Sequence, residues 1–593
     1  MFKNNFIKKL QHFKINLKEW FVLLGVVKQL IVVILVGLII VILSSLVIGS
    51  VENAYLVFVD PASLPEVKDD SGKIIFSFLL MLFGLVVTGF IISVLSSSLE
   101  NTFRDIRAGR LKYDGCNHTL IINYNNKIKK ILDELNLLHQ DNDDIHDVVI
   151  LIDDEANVEH LQSHIQDIRN KFTYLHLYIR YGDVLSWQRY EELSILETYS
   201  IILLGDENIK DDFTRDNHSI RIANLLFSME SFKTYLEEKK INKVPIKSIV
   251  ELSNIDYAQN IIRDISDGLF LAISPSKVLE SILNLSVINI DFYNIWTELL
   301  SFDGYEFYFV SAEDIGLEGS SYQDALLRHK DGLLMGVSRV VDGKFTLLLN
   351  EHEELIEKGD WLIFIAKDKL NISCEPKALS NTSKFKIEQP KETYIKNITI
   401  IGNKQDIKAT EFLEEGEGKS NIDRILPDES KLYTLEYWKE ILKDKDTVIL
   451  NLEDEMIYRI ALSLKEFYQG NIPEEFVFLL DDTQIAKHLE LAKIKNTILS
   501  DQLISKFMAQ VSNQISLYYV FDVLFKKDGP EINFILTSKI PKELLNNLEQ
   551  LKVELIAQGM VYLGCEYNHG HTVFEATDLS DAKKIIVFSN GGF

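Results

Sequence analysis

Carboxylates set at breaks in the apolar pattern are the first residues here with chemistry to offer. Asp60 stands in the run Asp60-Pro61-Ala62-Ser63, between two strongly apolar stretches, Leu30 to Ile48 and Ile74 to Leu95. An ionisable group between adjacent membrane-length segments is costly unless it meets water or a partner, so its default reading is functional. Repeated around a symmetry axis, Asp60 would form a ring of carboxylates that attracts cations and can hold a divalent ion by direct or water-mediated oxygen contacts. The local alternative is that Asp60 simply caps a turn before Pro61. Further on, Asp153, Asp154, Asp183, Asp206 and Glu207 all follow apolar runs that read as strands. Oxygen ligands gathered there would suit calcium or another divalent cation as an effector. Which cluster, if any, binds metal stays open at this point.

The elements that must carry Asp60 are readable. Each apolar stretch is near the roughly 20 residues that a helix needs to cross a bilayer core. Only about 25 residues lie between them, too few for another span but enough for a short descending helix and a re-entrant loop lining a watery cavity. The order is then outer helix (30–48), pore helix and filter (51–64) and inner helix (74–95), a pore domain over 30–98. Proline disfavours the α conformation in the residue before it, so the pore helix should stop at Asp60. A two-span subunit cannot enclose a path alone, and a homotetramer is the geometric expectation for this hairpin. No Thr-Val-Gly-Tyr-Gly is present, so high potassium selectivity is not expected. Gly84 and Gly89 each weaken the second span by about 1 kcal/mol relative to alanine, which suits a gating hinge or close helix packing equally.

Residues 1–29 place Phe2, Phe6, Leu10, Phe13, Leu17 and Trp20 at helical spacing among lysines, as in an amphipathic helix lying at the inner interface. A signal peptide is the competing reading; the apolar run is too long for it and lacks a persuasive cleavage site. Basic residues accumulate before the first span and after the second, which places both termini and everything beyond residue 99 in the cytoplasm of a multi-pass membrane protein. The net charge of −26 over 593 residues falls almost wholly on that remainder and sets nucleic acid aside as a partner. Three distant cysteines make neither a disulfide framework nor a zinc knuckle.

From His118 the pattern becomes α/β: runs of Ile, Val and Leu alternating with amphipathic helices, as in parallel doubly wound sheets. Strands are expected at 119–123, 147–153, 174–179, 200–204, 246–252 and 269–273, then at 397–401, 447–452 and 476–480. The stretch 99–117 links pore to sensor, 118–370 is a first Rossmann-like domain, 371–394 a linker and 395–593 a second domain. Each ends in a small α+β lobe. The segment from Ser274 to Phe309 lies over Leu499 to Phe534 without a gap, so that Leu279 meets Ile504, Ile282 meets Phe507, Tyr293 meets Tyr518 and Trp296 meets Phe521. These matches repeat a helix face, not chemistry. Ligands of doubly wound sheets bind beyond the carboxyl ends of the strands at the switch in strand order, a crevice that Asn123, Tyr124, Asn125, Asp153, Asp154, Gly182 and Asp183 would line. A dinucleotide needs glycines after the first strand, and Asn123-Tyr124-Asn125-Asn126-Lys127 supplies none. A nucleotide is therefore disfavoured without being excluded.

The junction "LENTFRDIRAGRLKYDGCNHTLIINYNNK", the loop "DPASL" and the two alignable segments together resemble the Castor and Pollux type of ion channel. That resemblance implies a two-span pore hairpin followed by two tandem RCK domains (regulators of potassium conductance). It also implies a tetramer with eight such domains in a gating ring, and a weakly selective or calcium-permeable cation path. The expectation is a ligand-gated cation channel, not an enzyme. Other readings are a potassium channel with an atypical filter, a non-conducting regulatory subunit of a transporter, and a membrane-tethered dinucleotide enzyme. The last lacks a phosphate loop and a placed acid, base or nucleophile.

Overall fold

The computed structural model describes residues 26–60, 71–154, 158, 171–241, 247–266, 270–288, 291–341, 344–374, 385, 387, 397–402, 421–428, 430–443, 445–473, 475–494, 496–525, 529–567 and 572–590. The expectations for the N-terminal amphipathic helix through residue 25, for Pro61, Ala62 and Ser63, and for most of the inter-domain linker lie outside them. The chain divides into two compact units, residues 1–111 and 112–593.

The first unit is a helical hairpin. α1 (Val26–Ile48) is apolar from Leu30 onward save Ser44 and Ser45, and ends at Gly49, whose φ of +86° is one that L side chains rarely adopt. α2 (Val51–Val59) starts on Ser50, whose hydroxyl oxygen accepts from the Asn53 amide at 3.3 Å, and stops at Asp60 in extended conformation. α3 (Ser71–Arg107) is a single helix of 37 residues, about 55 Å at the usual rise per residue. It absorbs both the apolar span and the polar stretch after it. A Schellman-type stop follows: Gly109 at φ +69°, its N–H on the Ile106 carbonyl at 3.1 Å, and the Arg110 N–H on the Asp105 carbonyl at 2.9 Å. α1 and α3 are long and apolar enough to cross a membrane. Their small common core holds Val41, Ile48, Ala54, Val57 and Leu80. Ile34, Leu38, Ile42 and Leu46 stay exposed along α1, the surface that lipid or neighbouring helices would cover.

The second unit holds two parallel sheets. β1 (His118–Ile122), β2 (His146–Ile152), β3 (Leu175–Tyr181), β4 (Thr198–Leu203), β5 (Lys247–Glu251) and β6 (Leu271–Ile273) pair in the order β3-β2-β1-β4-β5-β6, all parallel. Side chains alternate across a strand, and both faces are covered: Leu120 and Ile122 enter one core, Ile121 the other. α4 (Ile128–Asp141) follows β1. After the sheet come α5 (Pro275–Ile288) and α6 (Asp291–Leu299). A small lobe follows: β7 (Glu306–Ser311), β8 (His329–Asp331), β9 (Leu333–Val341), β10 (Lys344–Leu349), β11 (Trp361–Ala366) and β12 (Ser373–Cys374), with four of these in the antiparallel order β10-β9-β11-β7.

The pattern then restarts. β13 (Asn397–Gly402), β14 (Asn421–Ile425), β15 (Thr447–Asn451), β16 (Phe476–Leu480) and β17 (Thr497–Leu499) form a parallel sheet in the order β14-β13-β15-β16-β17. α7 (Ser500–Asn513) and α8 (Ser516–Leu524) follow, then a second antiparallel lobe of β18 (Pro530–Leu536), β19 (Met560–Tyr567), β20 (Thr572–Phe574) and β21 (Ala582–Asn590). The bounds of α7 and α8 sit at one constant offset from those of α5 and α6, so the gapless alignment carries through to the helix ends. One matched pair also meets in space. Trp296 packs against its counterpart Phe521 with ring centroids 6.2 Å apart, as residues beside a two-fold axis do. One continuous core takes in a face of each sheet, both helix pairs and both small lobes. Separate cores back the outer faces.

Candidate functional site

Two places carry the predicted residues. In the hairpin, Asp60 ends α2 with its own N–H bonded to the Leu56 carbonyl at 2.7 Å and its side chain exposed. The extended conformation at φ −118° is what a following proline demands. Gly84 packs directly under the end of α2: a Cβ there would stand 1.9 Å from the Phe58 carbonyl oxygen, whereas at Gly89 it would meet nothing within 4 Å. Close approach thus explains Gly84 and leaves Gly89 unexplained by packing.

In the first parallel sheet the strand order reverses between β1 and β4, and a cavity of about 260 Å³ opens near their carboxyl ends. Asn123, Tyr124, Ile152, Asp153, Asp154, Asp206 and Asn208 line it. Asn123 adopts φ +69°, its N–H bonds the Leu151 carbonyl at 2.9 Å, and its amide donates to the Leu204 carbonyl at 2.9 Å. The turn is thereby pinned between β2 and β4. Burial first, then Asp183, Asp206 and Asp154, push the Asp153 carboxyl above its ordinary value, with His218 pulling the other way. Burial and Glu207 raise the Tyr124 hydroxyl. Asp206 accepts from the Asn208 N–H at 2.9 Å, and Asp183 from the Leu185 N–H at 2.8 Å.

The predicted set is partly gathered. Gly182, Asp183 and Glu207 stand around the cavity without lining it; the Gly182 N–H bonds the Ile152 carbonyl and a Cβ there would strike Arg189. Among the described residues no three His, Cys, Asp or Glu side chains form a ready-made metal set.

Asn125 is buried and is not in the cavity wall. Its amide donates to Glu251 at 2.8 Å and to the Gly205 carbonyl at 3.2 Å; Glu251 also accepts the Gly205 N–H at 3.0 Å and pairs with Lys127 at 3.1 Å. Burial works against the Lys127 ammonium, but Glu251 and Asp501 outweigh it and hold its pKa above the ordinary lysine value. Asp501 belongs to α7 in the second half. Beside it Lys130 donates to the Asp481 carbonyl at 3.3 Å. Gly205, Glu251, Asn208 and Lys127 are the functional candidates that sequence reasoning missed. A charged residue closing the apolar run of β5 was the signal for Glu251, and Gly205 directly before Asp206 the signal for the turn.

Residues 289–382 match a family model described as Castor and Pollux, part of voltage-gated ion channel. That stretch takes in α6 and the first small lobe, not the crevice. Among curated proteins the chain is 21% identical over 325 residues to "Probable ion channel SYM8" of Pisum sativum, covering 55% of this chain and 34% of that protein. It is 22% identical over 286 residues to "Ion channel POLLUX" of Lotus japonicus, covering 48% and 29%. The matches thus take in about a third of these relatives' own length. Among solved structures, the human SLO3 gating ring aligns with a TM-score of 0.53 at 9% identity, over 80% of this chain and all of that one. At this identity the likeness is one of fold. The GsuK channel bound to NAD aligns with a TM-score of 0.44 at 11% identity, over 95% of this chain and 97% of that one. Residues 289–382 thus match the Castor and Pollux model, the fold is like that of the SLO3 gating ring, and the chain is similar to the Castor/Pollux type of ion channel.

Proposed function

We propose that this chain is the subunit of a ligand-gated cation channel, a homotetramer in the cell membrane whose eight RCK-like domains form a cytoplasmic ring. The observation that carries the reading is α2: a short, capped helix that stops at an exposed carboxylate between two membrane-length helices. A plain anchor has no use for that interruption, which disfavours the regulatory-subunit reading. In the tetramer four copies of Asp60 ring the cation path. The ring concentrates cations, calcium among them, without the carbonyl stack that strips water from potassium. Pro61, Ala62 and Ser63 complete the filter, and Gly89, where a Cβ would meet nothing within the subunit, is the hinge of the inner helix.

The effector is a divalent cation held in the crevice of Asp153, Asp154 and Asp206, with Asp183 and Glu207 close by. Mutual repulsion among these carboxylates favours a bound cation and disfavours a phosphate. Because no three of them are preassembled, binding must draw them together, and that gives the ligand a different affinity for two shapes of the crevice. Such a difference is what gating requires. The relatives named above are channels, and the crevice presents no nucleophile–base pair, so the reading is not enzymatic.

Purified protein in planar bilayers, with potassium, sodium and calcium on opposite sides, tests this. Asp60→Asn should lower calcium permeability relative to potassium by about tenfold, the loss expected when a ring of charge becomes neutral. Current with unchanged selectivity would remove Asp60 from the path; silence of the wild type under every cation tried would favour the regulatory subunit. Asp153→Asn should shift the calcium dependence of opening and leave selectivity alone.

A further inference from the structure

Away from the crevice, buried acids gather where three elements meet: α4 of the first half, β7 of the first small lobe and α7 of the second half. Glu134 on α4 is 5% exposed. Its carboxylate accepts the Ser301 hydroxyl at 3.0 Å and the Phe302 N–H at 3.1 Å, and lies 3.8 Å from the Lys506 ammonium of α7. Glu306, the first residue of β7, is 8% exposed and accepts the Tyr308 hydroxyl at 2.9 Å. Gln510 of α7 donates to the Ser301 carbonyl at 3.1 Å and also hydrogen-bonds Glu306.

The charged groups around this seam do not balance. Tyr308 faces Glu306 from its own strand, and Glu134 and Asp141 face it from α4. Asp368 faces Tyr308. Lys506 answers to Asp303 and Glu298 as well as Glu134. Among the described residues of the seam, the Lys506 ammonium therefore stands against Glu134, and the charged groups that face Glu306 are acids. Two carboxylates in one poorly hydrated site are not both ionised without a large penalty, and the one further from the ammonium takes up the proton.

We propose that Glu306 is a proton-operated latch on the seam between the two halves. Protonated, it lets α4, β7 and α7 pack; on losing its proton to water it leaves an uncompensated buried charge, and the seam loosens. Burial, with Asp141 and Glu134 adding, pushes Glu306 up to about 7 from 4.5, against the hydrogen bonds of Tyr308 and Gln510. A carboxyl raised in this way stabilises the packed state fully below its unfolded value, and that contribution is lost as pH rises through about 7. The latch depends neither on conduction nor on the crevice ligand, so it stands or falls separately from the channel reading.

The test is hydrogen exchange of the full chain in lipid nanodiscs at about pH 6 and about pH 8, corrected for intrinsic exchange. Linkage predicts that opening of segments 128–141, 306–311 and 500–513 increases about tenfold between those values. Glu306→Gln, which cannot ionise, should abolish the increase. Tyr308→Phe, which removes a bond favouring the ionised form, should move the midpoint to higher pH. It also serves as the decisive variant if Glu306→Gln does not fold. An unchanged increase in Glu306→Gln, an unmoved midpoint in Tyr308→Phe, or no increase in the wild type would overturn the latch.

Discussion

The two halves of the α/β region share a helix pair and treat their strand ends in opposite ways. In the first half the ends of β1, β2 and β4 open on a cavity walled by Asp153, Asp154 and Asp206. In the second, Asp454, Asp481, Asp482 and Asp501 gather at the corresponding end of the sheet, and lysines of the first half meet them. Asp454 accepts the Asp481 N–H at 3.1 Å, Ser500 bonds Asp481, and Lys127 and Lys130 both bear on Asp501. Duplication kept the apolar surface through which the halves pack and reassigned the polar ends. One end opens on a cavity; the other is used to hold the two halves together. Among the described residues the second sheet shows no counterpart of β3, the strand whose end carries Gly182 and Asp183 in the first half.

The shared surface offers the largest effect. Trp296 is 1% exposed and stands between Phe521 and Phe525, the latter with ring centroids 4.9 Å away. Trp296→Ala should destabilise the α/β region by about 3–5 kcal/mol through lost burial and the cavity left behind, read as a lower unfolding temperature by scanning calorimetry. Phe521→Ala should cost a similar amount. Because the two side chains touch, the double variant should fall short of the sum by about 1 kcal/mol. Strict additivity would break the idea that matched residues form one contact on a pseudo-two-fold axis.

A smaller effect separates the strand ends. Lys127→Met leaves Glu251 buried without its cation, and removing one partner of a buried pair costs about 3 kcal/mol. Exchange at the β4 and β5 amides should rise accordingly, since Glu251 also holds the Gly205 N–H. Adding Glu251→Gln, which keeps the amide-accepting oxygen and drops the charge, should recover most of the loss. Failure of the second change to rescue would show that Lys127 acts on Asp501 of the second half more than on Glu251, and the division between the two ends would blur.

What the sequence disclosed follows from the range of each interaction. Strands buried on both faces announce themselves as runs such as Thr119-Leu120-Ile121-Ile122, and the parallel sheets were legible from them. β14, with Asp423 and Arg424 at its centre, and β17, three residues long, carry no such run and were missed. The helix pairs were legible because a repeat compares the chain with itself. The crevice acids were legible as residues just past strand ends, but their grouping was not: the cavity takes Asp153 and Asp206 and leaves Asp183 outside its wall. Lys127 and Glu251, and Glu134 and Lys506, are far apart in sequence. No spacing rule joins such partners; the fold alone brings them together.

Lys130 sets the lower end of the scale. Its ammonium donates to the Asp481 carbonyl at 3.3 Å in an exposed bond, and burial already holds its pKa below the ordinary lysine value, with Asp501 and Asp481 opposing. Lys130→Met should therefore cost within about 1 kcal/mol, the scale of a solvent-screened contact. Its signature should lie in the second half: with one cation gone, the Asp501 carboxyl, already raised by burial, should rise further, so that mild acid slows exchange at the start of α7 over a wider pH range than in the wild type. A loss as large as that of Lys127→Met would mean that the second half's strand ends depend on Lys130 as the first half's depend on Lys127. The two ends would then be equivalent, and the contrast between an open crevice and an intrachain contact would not hold.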